Sequence, residues 1–523
     1  MLRRLLLLFI VLLPAVSAAR AQRLPGNAHP QHYSLELAPD LRHATFTGTV
    51  AIDLTLDAPA RSITLNAAEL QLLRAQVTAA GQTQTAEIAV DATQEQATFT
   101  VPQPLPAGLV TLRIDYTGVL NDRLRGFYLS RTATRRYAVS DFEPTNARRA
   151  FPSFDEPAAK ATFDVSITAD AADTAISNTP LIADHRVAAQ DGVARHTLRF
   201  ATTPRISTYL VAFLVGDFRC SKGKADGVPI RVCATPDKRG LTKYSLAAAT
   251  HFLSYYNQYF GIPYPMPKLD LVALPDMEEG AMENFGCITF RETELLLDAR
   301  SATIPARKEV ARTIAHEMAH QWFGDMVTMH WWNDLWLNEG FASWMEAKAT
   351  AAWHPEWGIA EDAAQDLDDT LTSDSYLHTR AIRADATTPD AINELFDDIA
   401  YDKSAAVLGM VESYLGEATF QQGVHDYLAA HLYGTATAED FWNAQTAVSR
   451  QPVDAVMRSF LQQPGVPLLR LGTPQAGRLP VTQQRLLPEV AKPQGDAATL
   501  RWQVPVCLRT AAAPVCALLR PDS

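Results

Sequence analysis

What this chain lacks narrows its class before any motif is read. Cysteine is scarce, five in 523 residues, which excludes a small disulfide-knit scaffold and leaves the fold to rest on buried apolar side chains. Basic residues are in deficit, 46 Lys and Arg against 58 Asp and Glu, for a formal charge of −12. That balance argues against a nucleic-acid partner, whose binding leans on clustered cations that neutralise phosphates. After Leu13 no apolar run is long enough to cross a bilayer, and there is no internal repeat or low-complexity tract. What is present is ample core material, 47% apolar residues, in a length that by usual domain sizes holds about three domains.

Residues 1–21 read as a secretory signal: Arg3 and Arg4, then the apolar run Leu5 to Leu13, then the small-residue zone Ala15 to Ala21. The run is short for a membrane anchor. An exported protein, periplasmic or extracellular, with no membrane span once the signal is removed is therefore expected. Export invites cysteine pairing. Cys220 and Cys233 flank Asp226-Gly227, a hairpin turn signal; pairing Ala225 with Val228 and counting outward sets the two cysteines opposite each other at disulfide reach. Cys507 and Cys516 form a second candidate pair across a looser turn, and Cys287 is left as a buried free thiol.

From about Leu35 to Ala234, apolar and polar residues alternate in short runs such as Thr49 to Leu56 and Leu109 to Tyr116, a pattern that predicts an antiparallel β domain over 22–235. Lys243 to Phe260 reads as a helix stopped by Gly261, Leu269 to Leu274 as a strand, and Gly280 to Phe290 as a loop entering another strand. Helices dominate from Arg307 to about Leu461, so 236–463 is expected to be a small sheet followed by helices. Residues 464–523 return to short β-like runs. The fold class is α+β and multidomain.

Within the helical part, residues 316 to 320 read His-Glu-Met-Ala-His. The stretch Arg307 to Phe323 has no Pro or Gly and stops at Gly324, which predicts a helix. Positions four apart stack on one face, so His316 and His320 can offer two imidazole nitrogens to one metal ion while Glu317 turns toward a water there. The pentad alone arises by chance in on the order of one chain in a hundred of this length. Its context is more selective, because a second helix predicted from Leu335 to Ala351 carries Glu339, a third ligand that leaves a fourth position open, as catalytic rather than structural zinc requires. Glu346, two turns beyond Glu339 on the same face, can accept a hydrogen bond from a ligand imidazole.

These residues resemble the aminopeptidase N-type zinc aminopeptidases, gluzincins with a thermolysin-like catalytic domain. The resemblance rests on four runs in the family's order: Ser140 to Pro157 (SDFEPTNARRAFPSFDEP), Gly280-Ala281-Met282-Glu283-Asn284, the pentad with Glu339, and Tyr401 to Leu408, where Ser404 replaces the usual Gly. It implies one zinc per chain, Glu317 as general base and Tyr401 as oxyanion donor. It also implies Glu283 and Glu143 as acids that bind the free α-amine of a peptide, with the backbone of Gly280 to Asn284 pairing the substrate as an added strand. Glu278 and Glu279 fall where the family lines its first side-chain pocket, so a cationic first residue is expected; Asp141 stands where Gln is frequent. The family continues with a β-sandwich and a helical roof, whereas this chain stops at Ser523. Three other readings stand beside the aminopeptidase: an inactive binding scaffold, an endopeptidase with an open cleft, and an epoxide-hydrolysing relative, although that branch carries Gly where Ala281 stands here.

Overall fold

The computed structural model describes residues 23–475, 478–488, 499–508 and 515–521. The expected signal at 1–21 lies outside them. Alternation in the N-terminal half becomes a ten-stranded sheet in which inward residues such as Tyr33, Leu35 and Leu37 of the strand Ala28–Asp40 are buried and their neighbours are not. Burying one such side chain contributes about 1.5–3 kcal/mol. Most pairings are antiparallel, as predicted, but Ala28–Asp40 also pairs in parallel with Thr162–Asp170. Alternation reports which face is buried, and it is the same for either strand direction.

A four-stranded sheet carries Gly126–Arg131 and Arg136–Asp141 as a hairpin, and the second of these strands delivers Asp141 and then Glu143 toward the centre of the molecule. A five-stranded sheet follows, in the order Arg219–Ala225, Val228–Ala234, Leu269–Leu274, Cys287–Arg291, Ala281–Met282. The cysteine hairpin therefore hydrogen-bonds into the sheet of the helical half, through the parallel pairing of Ile230–Cys233 with Leu269–Val272. Its register sets Cys220 opposite Cys233, and the two are bonded. Cys507 and Cys516 are bonded across the hairpin of Val504–Leu508 and Val515–Leu519, and Cys287 is a buried free thiol.

Three helices pack together at the central cleft, and the second and third of them contribute residues to its wall. Helix α1 (Lys243–Phe260) has the predicted bounds and ends at Gly261, whose φ of 64° suits glycine. Helix α2 (Ile304–His320) starts three residues before the expected Arg307, because Thr303 caps it and Pro305 sits in the first turn, where its missing N–H costs nothing. It also ends earlier, at His320. Helix α3 (Glu339–Trp353) begins later than the predicted Leu335, since Trp332–Leu337 forms a separate 3-10 turn. α1 is tied to α2 by the Tyr256 hydroxyl, which donates to the Ala315 carbonyl at 2.7 Å. The β half grips the end of α2: the buried Lys160 donates to the carbonyls of Asp325 and Met326 at 2.9 and 3.3 Å. Among the described residues no helix is long and apolar enough to cross a membrane.

Candidate metal centre and substrate cleft

Helix geometry does what the spacing predicted. Nε2 of His316 stands 3.1 Å from Glu339 Oε2, and Nε2 of His320 stands 3.4 Å from the same oxygen. Tetrahedral ligands at about 2.1 Å from one ion lie about 3.4 Å apart, so the donor set fits a metal of that size. The far side of each ring is fixed by groups that only accept: His316 Nδ1 by Glu346 Oε2 at 3.2 Å, and His320 Nδ1 by the Phe323 carbonyl at 3.1 Å, with Asn338 Oδ1 at 2.7 Å. An Nδ1 proton donated outward leaves each Nε2 lone pair facing the common centre. Glu346 thus lies where its helical phase predicted, and Arg312 in turn holds the other oxygen of Glu346 and reaches Asp366.

Glu317 is 6% exposed, and burial pushes its carboxyl up to about 8 against the lowering pull of His316 and His320. An acid poised near neutrality can both take and return a proton. Tyr401 sits in a π-type turn, Ile399–Lys403, with its ring 6.0 Å from that of His316 and nearly parallel to it. Burial and then Glu339 hold its phenol well above the usual tyrosine range, so it keeps its proton. Its hydroxyl has no hydrogen-bond partner among the described residues. The turn packs tightly on α3: a Cβ at Gly340 would come within 2.4 Å of the Ser404 Cβ. Ser404 is accommodated because position 340 has no side chain.

These groups border a cavity of about 630 Å³ whose wall carries nine carboxylates and two guanidiniums. Glu283 enters from the short edge strand Ala281–Met282, and Glu143 from the segment after Asp141. Gln321 pins the Glu283 loop, donating to the Glu283 carbonyl at 2.9 Å and accepting from Gly286 N–H at 3.0 Å. Asn338 donates to Glu283 Oε1 at 3.1 Å, linking that acid to His320. Glu143 Oε1 is buried with no hydrogen-bond partner, and burial with the neighbouring Glu283 pushes this carboxyl well up.

Glu278, Glu279, Gly280, Ala281 and Met282 also line the cavity. Asn284 does not: it is fully buried and donates to Thr289 Oγ1 at 3.1 Å, bracing the loop from behind. Glu278 is gripped by Arg125 through two bonds of 2.7 and 2.9 Å, which offsets its charge. Sequence reasoning missed Asn338, Gln321 and Arg312. The first two adjoin metal-motif residues, and that adjacency was the available signal; the partners of Arg312 lie 34 and 54 residues away.

The Peptidase M1 N-terminal domain matches residues 29–210 and the Peptidase family M1 domain matches 244–460. Aminopeptidase 2 of Candida albicans is 39% identical over 470 residues, 89% of this chain and 50% of that protein. Aminopeptidase 2, mitochondrial, of Saccharomyces cerevisiae is 38% identical over 487 residues, 90% of this chain and 50% of that protein. Endoplasmic reticulum aminopeptidase 1 of Homo sapiens is 40% identical over 445 residues, 83% of this chain and 47% of that protein. The chain spans about half the length of the curated relatives it matches. The expectation of export does not stand: the relatives' own names place one in the mitochondrion and another in the endoplasmic reticulum, so kinship attaches to no exported compartment. Two domain matches in the family's order, together with this sustained identity, show that the chain belongs to peptidase family M1.

Proposed function

We propose that this protein is a zinc-dependent aminopeptidase that removes the first residue of peptides with a free N-terminus. The observation that carries the reading is Oε1 of the half-buried Glu143, enclosed and unpartnered, in the same cavity as Glu283 and the His316, His320 and Glu339 donors. In this reading those three residues hold one zinc ion, which when bound would supply a Lewis acid that acidifies water and polarises a peptide carbonyl.

The chain's own groups do the rest. Glu143 and Glu283 replace the hydration of the substrate ammonium, which is favourable in a closed cleft only where fixed carboxylates await it. Holding the amine there sets its distance to the three donors, so the first peptide bond alone reaches attack geometry. The edge strand Ala281–Met282 offers its free backbone groups to the peptide as an added strand. Glu317 takes the proton of the attacking water and returns it to the leaving amine, and the Tyr401 hydroxyl donates to the oxygen that gains charge. Glu346 and Asn338 hold the imidazoles in place. The same reading divides the chain into an N-terminal β unit over 22–235, a thermolysin-like catalytic unit over 236–463 and a β segment over 464–523, with the hairpin Arg219–Ala234 reaching from the first into the sheet of the second.

The test is a panel of fluorogenic amino-acid amides and their N-acetylated forms, with zinc content measured and a chelator added. Free-amine substrates should turn over, acetylated ones at least a hundredfold more slowly, and the chelator should abolish activity. Ready cleavage of acetylated peptides at internal bonds would replace this reading with an endopeptidase, and zinc without turnover of any amide would replace it with a scaffold.

A further inference from the structure

Tyr401 offers the cleft a hydroxyl that no described residue holds, so its placement depends on the turn Ile399–Lys403 behind it. Local bonds close one side of that turn. Asp397 Oδ1 accepts from the Ile399 and Ala400 N–H groups at 3.0 and 3.3 Å, and the Ser404 hydroxyl donates to the Ile399 carbonyl at 2.9 Å. Lys403, two residues after Tyr401, reaches further. It is 1% exposed, its Nζ lies 2.7 Å from Oδ2 of the fully buried Asp374, and it donates to the Gly465 carbonyl at 3.1 Å. Asp374 is the last residue of the helix Ile359–Asp374. Its Oδ1 accepts from the Gly465 N–H at 3.2 Å and from Thr379 Oγ1 at 2.6 Å. Gly465, with a φ of 80°, leads into the strand Pro467–Leu471. The turn that carries Tyr401, a helix end and the start of the C-terminal β segment therefore meet on one buried ion pair.

Neither Lys403 nor Asp374 borders the cavity, and neither has a task in the reading above. Taking an ammonium and a carboxylate out of water is costly, and apolar side chains of similar size often serve stability as well or better. What such a pair supplies instead is a fixed geometry, because Nζ must point at both Asp374 and the Gly465 carbonyl. Tyr401 is on a short lever from that point, so a small rotation at Lys403 swings the phenol against the His316 ring that it faces at 6.0 Å. A donor aimed at a developing oxyanion tolerates little displacement, and an error of about 1 Å can cost about 10²-fold in rate.

Resting on the aminopeptidase reading, we infer that Lys403 and Asp374 are positioning residues for the Tyr401 hydroxyl, and that through them the placement of the oxyanion donor depends on the Gly465 end of the C-terminal β segment. A merely structural pair would affect the enzyme equally with or without that hydroxyl. A positioning pair acts only while the hydroxyl is there to be placed.

The experiment is a cycle of variants of the zinc-loaded full chain: Lys403→Met, Tyr401→Phe and the two together. It reads kcat and KM on a leucine amide, and calorimetric binding of L-leucinamide and of a phosphinic dipeptide analogue, whose tetrahedral anionic group mimics the attacked carbonyl. Lys403→Met should lower kcat at least tenfold with KM within twofold, and weaken the phosphinic ligand at least tenfold with leucinamide binding within twofold. Added to Tyr401→Phe, it should change each quantity by less than twofold. A loss that persists in the Tyr401→Phe background overturns the inference, as does wild-type kcat and phosphinic affinity in either single variant. Should Lys403→Met fail to fold, Lys403→Met with Asp374→Asn, which leaves no unpaired buried charge, decides by the same cycle. A wild type that binds the phosphinic ligand but hydrolyses no amide would defeat the aminopeptidase reading, and the binding arm of the cycle still decides this inference. A wild type that does neither defeats both.

Discussion

Asp270 and Asp141 are both buried aspartates on strands that lead to the cleft, and they have opposite surroundings. Asp270, behind the five-stranded sheet, is fully enclosed, yet Lys268 Nζ lies 2.7 Å from one oxygen and the Arg231 guanidinium grips both. Burial alone raises its pKa, but Lys268 and Arg231 hold it below the usual carboxylate range. Asp141, on the cleft wall, is pushed up to about 8 by burial and then by Glu279, Glu278 and Glu283, against the lowering pull of Arg125. The difference teaches what sets a buried charge: Asp270 is bonded directly to its counter-ions, whereas the pull of Arg125 on Asp141 does not offset burial and the neighbouring acids.

The largest way to sharpen this contrast is Glu317→Gln. If Glu317 is the general base, as proposed above, its removal should cost about 10²–10⁴ in kcat, while zinc content and melting temperature hold. Metal analysis and a thermal scan beside the kinetics check it; near-normal turnover would remove Glu317 from the mechanism.

The reverse is expected behind the sheet. Asp270→Asn leaves Lys268 buried without its carboxylate and should destabilise the fold by about 3–5 kcal/mol, measured by urea unfolding. Asp141→Asn, under the same measurement, should be neutral or stabilising, because it removes a repelled charge. Equal losses in both variants would break the comparison.

The smallest effect is in pH dependence. For Asp270 the folded pKa is lowered, so its stabilisation is present above the unfolded value of about 3.9 and is lost as pH falls through the lower folded value. For Asp141 the folded pKa is raised, so the folded state holds a proton that the unfolded chain releases, and stability drains away as pH rises from about 3.9 toward about 8. In substrate-free protein the stability advantage of Asp141→Asn over wild type should therefore be larger at pH 8 than at pH 5. An advantage that does not change between the two removes Asp141 as the source.

Much of the candidate site was legible because its chemistry is local. Positions 316, 317 and 320 are fixed relative to one another by one helix, and Glu339 and Glu346 by another, so spacing predicts which side chains share a face. The hairpin register of Cys220 and Cys233 follows from a two-residue turn in the same way. The helix bounds were less legible: Pro305 looks like a breaker in sequence but belongs in a first turn, and the residues before Glu339 wind into a tighter turn that composition does not mark. The parallel pairing of Ala28–Asp40 with Thr162–Asp170 was invisible to alternation altogether.

The sequence by itself determined the pentad, its helical phase, the third donor and the α+β class, because each depends on separations of a few residues or on burial period. Only the tertiary structure decided which acids are free. Arg125 neutralises Glu278 from 153 residues away, Lys268 compensates Asp270 rather than Asp141, and Asn338 reaches Glu283 across 55 residues. Charge compensation is a through-space matter that falls off with distance in three dimensions, and residue order along the chain carries almost none of it.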